Sequence, residues 1–188
     1  MVKMQRCSWC GDDPLYVQYH DEEWGVPVRD PHALFERLTL EGMQAGLSWL
    51  TVLRKRDHMQ RVFFEFQPDA LARYGRRRMA KWLADPGIIR HRGKLEAMVN
   101  NAAALQRIDD FTEFVWSFVS NQPVVNHWRH LSEVPSETPV SKAMAKGLKS
   151  AGFKFVGPTT CYAFMQSAGL VNDHLTNCPA HERCAALG

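Results

Sequence analysis

Cysteine and histidine gather at the two ends of this chain. Cys7, Cys10 and His20 stand near the start; His174, Cys178, His181 and Cys184 stand near the end, and Cys161 is the one cysteine elsewhere. Thiolate and imidazole ligands in sets of four bind zinc. A site that draws on both ends closes a loop of most of the chain. The two terminal segments must then meet, and everything between them must fold back to let them. Spacing alone favours Cys7 and Cys10 together, since Cys7-x-x-Cys10 is a familiar zinc pair, but His174, Cys178, His181 and Cys184 offer several completions and the ligand set stays open.

The 188 residues suffice for one domain or two close lobes around a real core, and 45% are apolar, as in an ordinary globular protein. No run approaches the ~18 apolar residues of a membrane span. The opening Met-Val-Lys-Met-Gln-Arg leads into polar sequence without a signal-peptide core. The expected location is therefore cytoplasmic, where five cysteines are free or metal-bound rather than disulfide-bonded. A net charge of +3 permits an anionic partner without demanding one.

Period-two alternation is nearly absent, and the chain reads as all-α. Residues 1–30 suggest irregular structure with a short helix. Asp30-Pro31 starts a helix that carries Leu34, Phe35, Leu38, Glu41 and Ala45 at helical spacing and stops at Gly46. Further helices are expected over 48–56, 59–66, 68–75, 76–84, 88–108, 111–119, 140–151 and 158–168. Residues 121–139, with three prolines, read as a connector.

Two stretches carry chemistry. Gly152-Phe153-Lys154-Phe155-Val156-Gly157-Pro158-Thr159 joins two helices by a turn of the kind that presents backbone N–H groups to phosphate, with Lys146, Lys149 and Lys154 nearby. The plainer reading is a glycine C-cap in a tight connection. Arg90, His91, Arg92 and Lys94 form a basic helix opening, suited to DNA phosphate or simply to solvent; Arg76-Arg77-Arg78 and Lys81 read as a solvated face. In the second stretch, Glu41 falls among apolar positions, where a carboxylate is costly unless something pairs with it. Gly42 and Gly46 are expected to leave room beside it, and Trp49, Tyr16 and Tyr19 to wall a site for a flat cationic group. A salt bridge to Arg37 one turn back is the alternative.

Asp13-Pro14-Leu15-Tyr16, the run from Tyr19 through Trp24 to Pro27, Glu41 through Trp49, Gly87 through Lys94, Phe114 through Val119, and Gly152-Phe153-Lys154-Phe155-Val156-Gly157 through Gly169-Leu170-Val171-Asn172-Asp173-His174 together resemble bacterial 3-methyladenine DNA glycosylase I, in order from about Cys7 to Cys178. The resemblance implies one domain over 1–188 with an all-α, two-lobed helix-hairpin-helix glycosylase fold, the hairpin near 152–159. It implies excision of 3-methyladenine from alkylated DNA; double-stranded DNA is the expected partner, and a monomer is expected because a DNA cleft needs no partner chain. It also implies one structural Zn2+ held by Cys7, His20, His174 and Cys178, a staple from 7–20 to 174–178 that leaves Cys10, His181 and Cys184 outside.

The family's base-recognition residues fall on Glu41, Tyr19 and Trp49, with Tyr16 and Trp9 as further candidates; Glu41 is the expected catalytic residue. For Tyr16, Trp24 and Trp116 core packing is the stronger expectation. Gly152, Lys154, Val156, Gly157 and Thr159 are the expected DNA contacts. Pro158-Thr159 follow Gly157 where bifunctional relatives carry a lysine, so a Schiff-base lyase step is not expected. Asp173 lies near the place where relatives put a sugar-stabilising aspartate, yet directly precedes His174; a structural role is expected, with catalysis second. A non-enzymatic zinc-stapled DNA-binding protein is the rival reading, and it leaves Glu41 unexplained.

Overall fold

The computed structural model describes residues 5–188. Among them nine α-helices follow in order: α1 (Pro14–Glu22), α2 (Pro31–Gln44), α3 (Trp49–Val62), α4 (Pro68–Ala84), α5 (Arg92–Leu105), α6 (Phe111–Trp116), α7 (Pro139–Ser150), α8 (Pro158–Ser167) and α9 (Pro179–Ala185). Their starts follow from local chemistry. Pro14, Pro31, Pro68, Pro139, Pro158 and Pro179 each sit in a first turn, where the missing N–H costs nothing. Asp13, Asp30, Ser48, Asp110 and Thr138 accept hydrogen bonds from first-turn N–H groups.

The fold is mostly helical, as expected, with two additions. The strands β1 (Val124–Val125) and β2 (Val171–Asn172) pair in parallel, Val124 opposite Val171, and tie the connector to the segment that leads into Asp173 and His174. The short helix α9 was not expected. None of the described helices is long and apolar enough to cross a membrane.

Several expected boundaries move. The helices over 48–56 and 59–66 merge, since α3 runs unbroken to Val62; those over 68–75 and 76–84 merge into α4. Gly75 is not a stop. A Cβ there would lie 2.5 Å from Val99 Cγ2, so the glycine lets α4 and α5 approach closely. The helix over 88–108 shrinks to α5, because Asp85 captures the Gly87 N–H at 2.7 Å and His91 accepts from the Lys94 N–H at 3.2 Å as the cap.

Helix α2 runs through the core, with Leu34, Phe35 and Leu38 buried beside Phe63, Leu95, Met98, Val115, Trp116 and Phe164. It packs on α8, α3, α5 and α6. The N-terminal segment is laced to α8: Gly25 N–H donates to Gln166 and Val28 N–H to Ala168. At Gly169, with φ +70°, a Cβ would stand 2.4 Å from the backbone of Val26 and Pro27. That close approach sets α1 against the far end of the chain.

Candidate functional site

The segment with Cys7 and Trp9, α1, α2, α3, α8 and the connector line a cavity of about 230 Å3, below the about 300 Å3 at which pockets for drug-sized ligands begin. Trp9, Tyr16, Tyr19, Glu41 and Trp49, the residues singled out from sequence, all line it, and Trp24 joins them. Tyr16 and Tyr19 project from α1 one turn apart, Glu41 from the last turns of α2, and Trp49 from the start of α3. The rings form a continuous wall, with centroids 5.1 Å apart for Trp9 and Tyr16, 4.9 Å for Trp9 and Trp24, and 5.3 Å for Tyr19 and Trp49. Tyr16 and Trp24 are thus not merely core. Trp116 is: it is fully buried, donates to the Val28 carbonyl and lies under Arg29.

Glu41 is 5% exposed and has no ion-pair partner among the described residues. The alternative, a bridge to Arg37, does not form. That guanidinium donates to the Ser167 and Glu23 carbonyls and approaches the Glu23 carboxylate at 4.0 Å. Burial drives the Glu41 carboxyl up to about 8, against weaker opposing pulls from the Ser167 hydroxyl and the Arg37 charge. Burial, and then the nearby Glu41, also raise the Tyr19 phenol well above its ordinary value. Trp49 Nε1 is buried without a hydrogen-bond partner among the described residues. Gly42 and Gly46 do not make the room expected of them: neither lines the cavity, and Gly42 instead faces the Phe155 carbonyl.

Beside this cavity four side chains converge. The ligand atoms of Cys7, His20, His174 and Cys178, all buried, lie within 4.8 Å of one another. Cys7 Sγ is 3.6 Å from His174 Nδ1, and Cys178 Sγ is 3.5 Å from His20 Nε2 and 3.8 Å from His174 Nδ1. Zinc bonds of about 2.3 Å to sulfur and about 2.0 Å to nitrogen give a tetrahedron with sulfur–nitrogen edges of about 3.5 Å. The four residues thus fit a metal ion. Their outer nitrogens are also fixed: His174 Nε2 meets the Trp24 carbonyl at 2.9 Å, and His20 Nδ1 meets Asp21 at 2.8 Å, itself paired with Arg6. The Cys7 thiol and the two imidazoles hold the Cys178 sulfur low as its thiolate, and Cys7 is held up as its hydrogen-bond partner. Cys10 turns back to the Cys7 carbonyl, His181 pairs with the Asn126 carbonyl, and Cys184 lies against the Trp24 carbonyl.

The turn between α7 and α8 is held by α5. Asn101 pairs with both the N–H and the C=O of Lys154, at 2.8 and 2.9 Å, and Asn100 donates to the Gly152 carbonyl at 2.7 Å. Phe153 and Val156 are buried anchors, while Lys154 and Thr159 are exposed. Gly157 caps α8 without a side chain, so the first turn keeps free N–H groups. Lys94 departs from the basic-face reading. It is buried, and its ammonium donates to the Met43 carbonyl at 2.8 Å and to the Ala45 carbonyl, closing the C-terminus of α2 below Glu41. Arg76, Arg77, Arg78 and Lys81 are exposed.

Asp173 also borders the cavity, but its carboxylate accepts four hydrogen bonds: Asn126 and Trp128 to Oδ1, Tyr162 and Gln166 to Oδ2, at 2.6–2.8 Å. That fills its acceptor sites. Sequence reasoning missed Gln44, Gln166, Leu131 and Val134 in the cavity lining. Gln44 was within reach, one turn beyond Glu41; Leu131 and Val134 come from the connector, which shows no periodicity to point with.

Residues 9–181 match the methyladenine glycosylase family. The DNA-3-methyladenine glycosylase 1 of Escherichia coli (strain K12) is 50% identical over 179 residues, covering 93% of this chain and 96% of that one. A crystal structure of a 3-methyladenine DNA glycosylase I aligns with a TM-score of 0.91 at 51% identity, over 94% of this chain and 100% of that one. A structure that addresses 3-methyladenine recognition by 3-methyladenine DNA glycosylase I from Staphylococcus aureus aligns with a TM-score of 0.90 at 38% identity, over 95% and 97%.

Proposed function

The chain belongs to the methyladenine glycosylase family, and from that footing we propose that it excises 3-methyladenine from alkylated DNA, hydrolysing the N-glycosidic bond and leaving an abasic site. One observation carries the chemistry: Glu41, a carboxyl without an ion-pair partner among the described residues, buried among aromatic rings. A normal adenine is a poor leaving group because it departs with negative charge. Methylation at N3 makes the base cationic, so it departs neutral, and much of the activation resides in the lesion. The enzyme must extrude the base from the stack and hold it, and a poorly paired lesion lowers that cost.

Each residue then has a task. The flipped base stacks against Trp49 and Tyr19 in the aromatic wall. Glu41 accepts hydrogen bonds from its exposed edge, assisted by Tyr19, with Tyr16 and Trp9 completing the enclosure. With its pKa near 8, Glu41 holds a proton at neutral pH in the free protein. A cationic base supplies the missing counter-charge, so the carboxyl releases its proton to solvent and pairs with the base as a carboxylate; a neutral adenine offers no such exchange. Water bonds to the sugar carbon as the bond to the base breaks; that bond's electron pair leaves with the base, which departs neutral, and the water's surplus proton passes to solvent. No lysine follows Gly157, so the reaction stops at the abasic site. Asp173, with four donors on its carboxylate, braces the cavity rather than joining the reaction.

Cys7, His20, His174 and Cys178 suit one structural Zn2+. When bound, it would fasten segment 7–20 to segment 174–178, and four protein ligands leave no position for substrate. The α7–turn–α8 unit suits the helix-hairpin-helix grip on double-stranded DNA, with Gly152, Lys154, Val156, Gly157 and Thr159 as its contact stretch. We read residues 1–188 as one domain of two helical lobes, acting as a cytoplasmic monomer, since a cleft for DNA needs no second copy.

Release of free 3-methyladenine from methylated duplex DNA, with turnover, tests the reading against a binding protein that merely holds DNA. Glu41→Gln should lose most of that release while fold and metal content persist. Unchanged release would remove Glu41 from the mechanism.

A further inference from the structure

Phe155 occupies an unusual place in the turn between α7 and α8. It is 46% exposed and adopts φ +56°, the left-handed region where a glycine is the residue without strain. Its neighbours explain why the turn needs no aromatic there for its own sake. Phe153 and Val156 are buried anchors, and Asn101 fixes the backbone at Lys154. The pair that points outward is Lys154 and Phe155. The ring is nonetheless seated: it lies edge-on to His91 at 6.0 Å, and a Cβ on Gly93 would stand 3.5 Å from its Cε2. An exposed aromatic held in a strained conformation, at a tip that glycine would serve better, is a functional signal.

Its surroundings are cationic. Arg76, Arg92 and Lys154 line one neighbouring groove, where Glu96 offsets part of the charge by pairing with Arg92 at 3.6 Å; Lys55, Arg90 and His91 line another. A nucleic-acid backbone alternates phosphate anions with the apolar faces of its sugars. A lysine and an aromatic side by side match that alternation.

We propose that Phe155 is a DNA-contact residue that packs its ring on a deoxyribose of the strand whose phosphate is held by Lys154 and the turn's amides. The contact is apolar and independent of base sequence. The inference rests on the reading of this face as the one that grips DNA.

The test is affinity for a duplex carrying an uncleavable abasic-site analogue, measured by fluorescence anisotropy at several salt concentrations. Phe155→Gly relieves the backbone strain, so its thermal midpoint should not fall. Loss of a half-exposed ring should weaken binding by about fivefold to tenfold, with the slope of log affinity against log salt unchanged. Phe155→Tyr, which keeps the ring, should bind like the wild type. Lys154→Met should differ in kind, lowering that slope by about 1. Binding of free 3-methyladenine should be the same in all of them. Wild-type affinity in Phe155→Gly, a changed salt slope, or a parallel loss of free-base binding would each overturn the proposal. A wild-type protein that releases no 3-methyladenine from methylated DNA would refute the excision reading instead, and the affinity comparison would still decide Phe155.

Discussion

Replacing Glu41 with Gln keeps the shape of the carboxyl and removes its titration. In the folded protein the Glu41 proton is held up to about pH 8, whereas the unfolded chain gives it up near 4.5. Between those values the folded state binds one proton more than the unfolded state, so this group's contribution to stability falls as pH rises. The slope is about 1.4 kcal/mol per pH unit, and over the whole window the loss reaches at most about 5 kcal/mol. The amide of Glu41→Gln carries no such penalty. Below about pH 4.5 the protonated acid and the amide are both neutral, and the two proteins should be of similar stability. At pH 8 the Gln variant should be the more stable by about 2 to 5 kcal/mol, a difference of roughly 5–15 °C in midpoint for a domain of this size. Urea unfolding of both proteins at pH 5 and pH 8 measures it, and taking the difference between proteins cancels every other titrating group. A gap that stays constant with pH, or one that favours Glu at pH 8, would show that the carboxylate is paired in the folded state. The cavity would then hold no carboxyl awaiting a cation. A protein made more stable by losing its most informative side chain is what a site built for function, and not for folding, should show.

Three further substitutions probe the frame. Cys178→Ser should lower zinc content well below one ion per chain and cost about 3 kcal/mol or more, since metal binding energy is folding energy; full occupancy in the purified variant would move a ligand to Cys10 or Cys184. Gly75→Ala should destabilise by about 1–3 kcal/mol through overpacking against Val99, despite alanine's better helix propensity, and Val99→Ala in the same chain should restore most of the loss in urea titrations. Lys94→Met strips the cap from the Met43 and Ala45 carbonyls and should cost about 1–3 kcal/mol; because Lys94 faces the core, the salt dependence of DNA binding should stay unchanged, whereas a reduced slope would return Lys94 to the DNA face.

The helix starts were legible because they are local. Asp30-Pro31 announces a cap within four residues, and Asp30 caps α2 where expected; helices were expected from 48 and from 140, and Ser48 and Thr138 turn out to be their caps. Glu41 was legible as an acid at an apolar position, and its environment bears that out. What was not legible depends on partners distant in sequence. Gly75 looks like a stop until Val99 is placed against it, and Lys94 looks like a surface cation until the end of α2 is placed under it. Spacing alone favoured Cys7 with Cys10. The short turn Ser8–Cys10 instead swings Cys10 back onto the Cys7 carbonyl at 3.2 Å, while the packing of α1 brings His20 to the Cys178 sulfur. A three-residue spacing permits joint ligation and does not require it; the backbone between the two thiols decides.

The ligand cluster and the aromatic cavity are not separate parts. Cys7 lines the cavity and belongs to the cluster. His20 follows Tyr19 on α1, so a shift of that ligand moves the phenol that lines the cavity. His174 donates to the carbonyl of Trp24, a wall residue, and follows Asp173, whose four hydrogen bonds join the connector to α8. A change at the cluster therefore reaches the cavity through covalent neighbours and single hydrogen bonds, with no long path needed. If the cluster holds a metal ion, its partial removal should weaken 3-methyladenine binding before the chain unfolds, because the aromatic wall loosens while the core around α2, a separate set of buried residues, still holds. Titration of the wild type with a chelator, following base binding and helical content together, separates the two. If both signals are lost at the same chelator concentration, the cluster supports the fold as a whole and has no distinct hold on the cavity.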